Sequence, residues 1–510
     1  MTKLLKFLFS RMVIIGLLII MQLGILIFTI WKLSESFVYL YVLFTAISIF
    51  SVIYILSTKD NPSYKLAWVI PVLLVPVFGG LLYLIFGSRK TTKKFRERMI
   101  NIYNKTAKVL PQDEEIIREI KEDDKSFANQ VKYLNNYAGS PIYKNTITKY
   151  LSPGEKFFEE LKEELKKAKK YIFMEYFIIQ EGVMWNSILE ILEEKVKEGV
   201  DVRIIYDDMG CLQTLPYKYY EKLREKGIKC LVFNPFVPFL SVIMNNRDHR
   251  KICVIDGKVA YTGGVNLGDE YINRKVRFGH WKDTAFRLEG EGVWGLTSIF
   301  LEMWEVTMGY EITTDYSVYM PTVKMPNDGF VQPFCDGPAN NPNNPAEDVY
   351  THIINKARDY VYITTPYLVP ERKMVEDLCR AARSGVDVKI IVPHIYDKWY
   401  VYMVNVANYG PLIANGVHVY EYMPGFIHSK TVVCDDECAI CGTINMDYRS
   451  FYLHYECGVF TCESSAVADI RDDIHETLKQ CQEIYLDEWQ SRPWYEQIIQ
   501  WVLRLFAPIL

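Results

Sequence analysis

The chain has 510 residues, half of them hydrophobic, with 58 Lys/Arg against 62 Asp/Glu; it is too long for one ordinary core and suggests two or three domains. The first 100 positions hold twelve of the basic and three of the acidic residues, which leaves 46 and 59 in the rest. So acidic a bulk argues against a nucleic-acid partner, because phosphate neutralisation supplies most of such affinity.

Three apolar segments stand at the start, over residues 12–31, 38–56 and 66–87. Each reaches or approaches the roughly 20 residues that a bilayer-crossing helix needs. Lys3, Lys6 and Arg11 precede the first, as in a signal peptide, but its apolar run is long and no small-residue cleavage site stands before Trp31, so it reads as an uncleaved anchor. The basic run Arg89, Lys90, Lys93, Lys94, Arg96 and Arg98 asks for a cytoplasmic position after the third segment, and the basic N-terminus asks for the same side. Pro71, Pro76, Gly79 and Gly80 in the third segment suit a re-entrant or interfacial hairpin, which keeps the number of crossings even. The expectation is a multi-pass cell-membrane anchor over residues 1–100 with the remainder cytoplasmic.

Beyond about residue 130 the chain repeats itself. Ala168-Lys-Lys-Tyr171-Ile172-Phe173 is echoed by Ala357-Arg-Asp-Tyr360-Val361-Tyr362, and the Gly-Val-Asp-Val run from Gly199 to Ile205 by that from Gly385 to Ile391. Helical periodicity over residues 185–198 and 373–383 precedes a glycine and a β-branched strand in each copy. Alternating strands and helices imply an α/β fold with a mixed or largely parallel sheet in each half. The halves are expected over residues 130–320 and 346–490, with a Pro/Asn/Asp/Gly-rich linker over 325–345 and an amphipathic aromatic tail over 491–510 suited to lie on a membrane. The charge run Glu163, Glu164, Lys166, Lys167 reads as a solvated helix face. The aromatic stretches 233–240 and 399–402 suit core packing or an acyl-chain groove.

The first half carries His249-Arg-Lys251 with Asp256, then Gly263-Gly264-Val-Asn266; the second carries His428-Ser-Lys430 with Asp435, then Gly442-Thr443-Ile-Asn445. The spacings are identical in the two copies, and two copies in register within a duplicated domain are a strong signal. In a strand, residues two apart face the same way, so each half offers an imidazole and an ammonium at one surface. Two such pairs supply a nucleophile, a proton donor and two cations around one phosphate, and Asn266 and Asn445 can add donors to its oxygens. Asp256 and Asp435 complete the motif and stand with the candidate catalytic set, although their position five residues beyond Lys suits bracing. Nothing with metal-ligand spacing accompanies the motifs, so no metal and no cofactor are expected. The eleven cysteines, odd in number and without repeated spacing, read as reduced, and the lone Cys438/Cys441 pair as strand residues.

These motifs resemble the phospholipase D superfamily and, more closely, the bacterial cardiolipin synthases. The likeness lies in residues 245–251, in Gly263-Gly264-Val-Asn266 followed by Glu270-Tyr271, in His280-Trp281-Lys-Asp283, and in Asn445-Met-Asp447-Tyr-Arg449-Ser450-Phe451 leading to Glu456; it extends to the N-terminal region and to Gly337-Pro338. The resemblance implies two phospholipase D-like halves sharing one active-site cleft behind transmembrane helices, and cardiolipin plus glycerol formed from two phosphatidylglycerols through a phosphohistidine. It implies His249 as nucleophile, His428 as acid and then base, and Lys251, Lys430, Asn266 and Asn445 as phosphate ligands. Asp283 and Glu456 would orient the histidines. His454 departs from the family pattern, which has Asn two before the Glu. A hydrolase releasing phosphatidic acid, a phosphatidylserine-forming transferase, a nucleic-acid phosphodiesterase and a non-catalytic scaffold are the competing readings.

Overall fold

A computed structural model describes residues 11–36, 38–87, 91–123, 125–236, 245–309, 315–339 and 344–509. Lys3, Lys6, Arg89, Lys90 and the end of the 233–240 stretch lie outside the described residues. Helices α1 (Arg11–Ser36) and α2 (Val38–Ser57) carry spans long and apolar enough to cross a membrane. The third apolar segment breaks at Val75–Pro76 into α3 (Pro62–Leu74) and α4 (Pro76–Phe86). At about 1.5 Å rise per residue neither short helix spans a bilayer core alone, and they fold back on each other: Tyr64 at one end donates to the carbonyl of Gly87 at the other, 2.8 Å away. Gly80 lets the hairpin press against α2, since a Cβ there would meet the Ser48 Cα at 2.7 Å, and its N–H donates to the Ser48 hydroxyl at 3.0 Å.

Helix α5 (Lys93–Thr106) leaves the anchor and packs on the catalytic body, where Met99 and Ile102 are buried and Lys105 pairs with Glu305 at 3.0 Å. The boundary expected at residue 100 therefore cuts a helix.

The body holds two sheets of matching design. The first is built from β1 (Thr146–Leu151), β2 (Tyr171–Tyr176), β3 (Asp201–Asp207), β4 (Lys229–Phe233), β6 (Lys251–Ile255), β7 (Val259–Gly263) and β9 (Ala285–Gly290), in the order β1-β9-β7-β6-β2-β3-β4. The short strands β5 (Arg247–Asp248) and β8 (His280–Lys282) lie off that path. The second sheet runs through β10 (Phe330–Asp336), β11 (Tyr360–Thr364), β13 (Asp387–Pro393), β14 (His418–Tyr422), β16 (Thr431–Cys434), β17 (Cys438–Gly442), β19 (His454–Cys462) and β20 (Cys481–Glu483), in the order β10-β19-β17-β16-β11-β13-β14-β20. Short strands β12 (Leu368–Val369), β15 (Gly425–Ile427) and β18 (Met446–Asp447) complete the set. Apart from β20 the two orders correspond strand for strand. In each, parallel β-helix-β pairs (β2 with β3, β11 with β13) give way to antiparallel pairing at the strand that follows the motif histidine.

Period-two alternation sets the layers. Ile172 and Met174 pack with the helices Gly154–Lys167 and Val183–Lys197 on one side of the first sheet, while Phe173 faces a core shared with the second sheet. Val432 and Val433 divide in the same way. Cys438 and Cys441 are likewise buried on opposite faces of β17, and all eleven cysteines are free thiols.

Two expected boundaries need correction. Residues 330–336, inside the expected 325–345 linker, form β10, the strand at the edge of the sheet, paired along its length with β19 and bridged on its other side at Val331 to Tyr143; Pro333 is tolerated there because an edge strand can forgo a ladder N–H. Flanking turn residues hid the strand. The helices Glu114–Asp123 and Lys125–Ala138 bury Ile117, Ile120, Val131 and Leu134 in the core of the second half, so the chain at residue 130, assigned to the first half, packs on the second.

Candidate active site

The two halves meet by exchanging short strands. β5, just ahead of His249, pairs in parallel with the start of β19; β15, just ahead of His428, pairs in parallel with β8. The N–H of His249 donates to the carbonyl of Tyr455 at 2.9 Å, and that of His428 to the carbonyl of Lys282 at 2.7 Å. Each accepting residue immediately precedes a carboxylate. Glu456 of the second half thus faces His249 of the first, with Nδ1 2.9 Å from Oε1; Asp283 of the first half faces His428 of the second, with Nδ1 2.6 Å from Oδ2. All four side chains are buried. A carboxylate on Nδ1 orients each ring and leaves Nε2 for chemistry, as a lone pair while the ring is neutral and as an N–H when the imidazole–carboxylate pair holds one proton more.

The carboxylates are held differently. Glu456 also accepts from Ser450 at 2.8 Å and Thr443 at 2.5 Å. Asp283 accepts from the N–H of Thr284 at 2.9 Å and more weakly from the Trp281 indole at 3.4 Å. Thr443 and Gly264 occupy equivalent positions. A Cβ at Gly264 would come 2.0 Å from Asp283 Oδ1 and 2.8 Å from the His428 carbonyl, so the first half needs a residue with no side chain there.

Lys251 and Lys430 lie fully inside, each donating to the carbonyl of the histidine two residues before it, at 2.5 Å for Lys251. Burial pushes the Lys251 pKa down to about 8 and the Lys430 pKa down to about 7. Burial, reinforced by both lysines, holds the His249 and His428 pKa values well below the ordinary imidazole value. Burial pushes Asp283 up to about 7. The charges of both lysines act on both histidines, which places the four groups around one point; so electropositive a centre suits a phosphate.

Asn266 donates to the Tyr271 hydroxyl at 2.9 Å and accepts from the N–H of Ile178 at 3.0 Å. Asn445 is buried, and its Oδ1 lacks a hydrogen-bond partner among the described residues. Asp256 and Asp435 stand apart from the cleft, which corrects their grouping with the catalytic residues. Asp256 accepts from the N–H groups of Lys169, Lys170 and Tyr171 at 2.7 to 2.9 Å, and Asp435 from those of Arg358, Asp359 and Tyr360 at 2.7 to 3.0 Å. Both sit past the strand end at positive φ and tie the motif strand to the start of its neighbour.

Aromatic rings line the site: Phe177 lies 4.9 Å from the His249 ring, and Tyr271 and Phe426 lie 5.7 and 5.8 Å from that of His428, of which the sequence singles out Tyr271 but not the two phenylalanines. His454 stands 5.5 Å from His249. The donor atoms of His249, His454 and Glu456 lie within 4.8 Å of one another, a set of metal-ligating type that only the fold assembles from residues some 200 positions apart.

Residues 161–276 and 350–478 match the family model described as cardiolipin synthase, PLD-like domain, and residues 46–88 match the one described as phospholipase D-nuclease N-terminal. An uncharacterized protein of Streptococcus mutans is 43% identical over 464 residues, 90% of this chain and 99% of that protein. A cardiolipin synthase of Alkalihalophilus pseudofirmus is 34% identical over 472 residues, 92% of this chain and 93% of that protein. The chain belongs to the cardiolipin synthase family, phosphatidyltransferases of the phospholipase D superfamily. Among solved structures the phosphatidylserine synthase of Haemophilus influenzae shares the fold, with a TM-score of 0.57 and 15% identity over 75% of this chain and 98% of that one. The two segments that match the cardiolipin synthase model carry both motif histidines, both lysines, both asparagines and Glu456, while Asp283 follows the first segment by seven residues.

Proposed function

We propose that the protein joins two phosphatidylglycerol molecules into cardiolipin and glycerol through a phosphatidyl-histidine at His249. The observation that carries this reading is the pair of crossed imidazole–carboxylate contacts converging on two buried ammonium groups. In the first step Nε2 of His249 attacks the donor phosphorus; the P–O bond to the headgroup glycerol breaks, and His428 gives its Nε2 proton to the departing oxygen. Asp283, raised to about 7, keeps a proton within the Asp283–His428 pair near neutral pH, which favours His428 as the acid. In the second step His428 takes the proton of a primary hydroxyl on a second phosphatidylglycerol, whose oxygen attacks the phosphorus and releases His249. Lys251 and Lys430, with amide N–H groups of Asn266 and Asn445, hold the non-bridging oxygens through both steps.

We read α1 and α2 as the two crossings and the α3–α4 hairpin as re-entrant or interfacial, with the catalytic halves cytoplasmic. The meeting of Tyr64 with Gly87 supports an even number of crossings. The C-terminal helix Trp494–Phe506 packs beside the hairpin and leaves Trp494 and Trp501 73% and 66% exposed, which suits the aromatic belt of a membrane interface.

The test is purified enzyme in detergent with phosphatidylglycerol as the only lipid, read by lipid mass spectrometry, beside His249→Ala and His428→Ala. Cardiolipin plus glycerol, lost in both variants, is the expected result, together with an alkali-stable phosphatidyl adduct on the peptide carrying His249. Phosphatidic acid without cardiolipin would replace the transferase by a hydrolase, and an adduct on His428 would reverse the two roles.

A further inference from the structure

We propose that two loops of the catalytic body, residues 274–279 and 394–400, form a docking rim that lies on the headgroup layer of a bilayer containing anionic phospholipid. This rests on the membrane-anchored reading above and adds to it the face by which the body meets that membrane.

Both loops are held firmly while their apolar side chains point away from the core. The first leads from the turn Asp269–Ile272 into β8, and Asn273, at positive φ, clamps its base. The Asn273 amide donates to the Trp281 carbonyl at 2.9 Å and accepts from the Trp281 N–H at 2.7 Å. The loop so fixed leaves Val276 81% exposed, flanked by exposed Arg274, Lys275 and Arg277. In the second loop, His394 Nδ1 lies 2.8 Å from Glu421, Tyr396 stacks on Tyr402 at 4.8 Å, and Lys398 donates to the Tyr367 hydroxyl at 2.8 Å. Ile395, Tyr396 and Trp399 nevertheless stay exposed. The two loops adjoin, since a Cβ at Gly279 would come 3.1 Å from Ile395 Cδ1. An apolar patch held outward in this way marks contact with another body.

Three observations select a bilayer as that body. The rim is continuous with the anchor: Val401, two residues beyond Trp399, packs with Leu503 and Ala507, and the helix Trp494–Phe506 and the turn after it pack against α3. Its composition, Trp and Tyr beside Arg and Lys, is that of a membrane interface over anionic headgroups. Glu270 faces Arg277 at 3.4 Å and Asp397 pairs with Lys398, so the attraction to anionic lipid falls chiefly to Arg274 and Lys275. The rim also reaches the transfer centre, because the Phe278 ring lies 6.1 Å from that of Phe426, itself 5.8 Å from that of His428. A lipid at the rim can therefore offer its headgroup to His428 while its acyl chains stay in the bilayer.

Fluorescence quenching tests the rim without reference to product. Full-length enzyme in nanodiscs of phosphatidylcholine and phosphatidylglycerol carries an environment-sensitive label at Val276→Cys or Trp399→Cys, and lipid with a nitroxide near its headgroup is the quencher. Both labels are expected to be quenched. A label at Val318→Cys, exposed beside Tyr319 at the start of β2, is expected to stay bright. The double variant Arg274→Glu/Lys275→Glu should weaken the quenching at Val276. It should also lower the ratio of turnover on long-chain phosphatidylglycerol in nanodiscs to turnover on a dissolved short-chain form, roughly 10–100-fold, the range for two cations near an anionic surface. Labels at Val276 and Trp399 quenched no more than that at Val318 overturn the proposal. So do labels shielded from aqueous iodide yet untouched by the lipid nitroxide, which would make the rim a protein contact. Quenching and turnover ratio both unmoved by the double variant overturn an anionic surface as the occupant. An unquenched label at Ile25→Cys, within the apolar span of α1, overturns the anchored reading instead.

Discussion

His249 belongs to the first half of the chain and Glu456 to the second, yet Nδ1 of one lies 2.9 Å from Oε1 of the other, and His428 with Asp283 repeats the relationship in reverse. Neither half has a correctly held histidine without its partner. The exchange follows from the short strands that carry each histidine onto the opposite sheet, and it ties catalysis to the docking of the two halves.

Glu456→Gln and Asp283→Asn are expected to lower kcat roughly 10²–10⁴-fold, because an amide can hold the wrong imidazole tautomer and cannot stabilise an imidazolium. Steady-state rates in mixed micelles, with circular dichroism to verify folding, provide the check. A loss below tenfold in both variants would reduce these carboxylates to packing.

Gly264→Ala places a Cβ 2.0 Å from Asp283 Oδ1 and 2.8 Å from the His428 carbonyl. The expected outcome is a folded enzyme with kcat reduced about 10²-fold, the cost typical of an ångström-scale misplacement of a reacting group. Wild-type turnover would show that the carboxylate has room to yield.

Asp256→Ala and Asp435→Ala each remove an acceptor shared by three backbone N–H groups. Because these sites are partly solvated, each variant is expected to lose about 1–3 kcal/mol of stability and keep the kcat of the folded protein. Denaturant unfolding read beside activity separates the two effects, and a collapse of kcat at full stability would return these residues to the catalytic set.

The pH dependence of activity and of stability should run in opposite directions. Phosphate binding needs Lys430 and Lys251 as ammonium groups, so kcat/KM of the free enzyme falls as pH rises through about 7 and about 8. The folded pKa of Lys430 lies below its ordinary 10.5, so between these values the unfolded chain binds more protons and the lysine's contribution to stability rises with pH. Asp283, raised from 3.8 to about 7, binds its extra proton in the folded state and acts oppositely below neutrality. Thermal melts of the wild type minus those of Lys430→Met isolate the lysine. Lys430→Arg should abolish its alkaline limb, since Arg keeps its proton; a limb that persists unchanged would assign it elsewhere.

The proposed topology, two crossings with the catalytic halves cytoplasmic, puts residue 39 outside and residues 59 and 479 inside. Tyr39→Cys should react with a membrane-impermeant maleimide in intact cells, and Lys59→Cys and Lys479→Cys only after permeabilisation, against the wild type with its own thiols as background. Labelling of Lys479→Cys in intact cells would invert the anchor.

The sequence alone determined the duplicated α/β design, the two motifs and the apolar anchor, because each is written in local spacing. Helical and strand periodicity is a property of neighbouring residues, and a motif repeated in register needs no structure to be seen. The family likeness added Asp283 and Glu456 as residues behind the histidines. Only the tertiary structure decided which carboxylate serves which histidine, since contacts between residues some 150 to 200 positions apart depend on how the sheets dock. It also showed that Asp256 and Asp435 each accept from three backbone N–H groups, and that an edge strand lies within the Pro-rich stretch before residue 345. Composition could not separate that strand from a linker, because its stability comes from the ladder with β19 and not from its own residues.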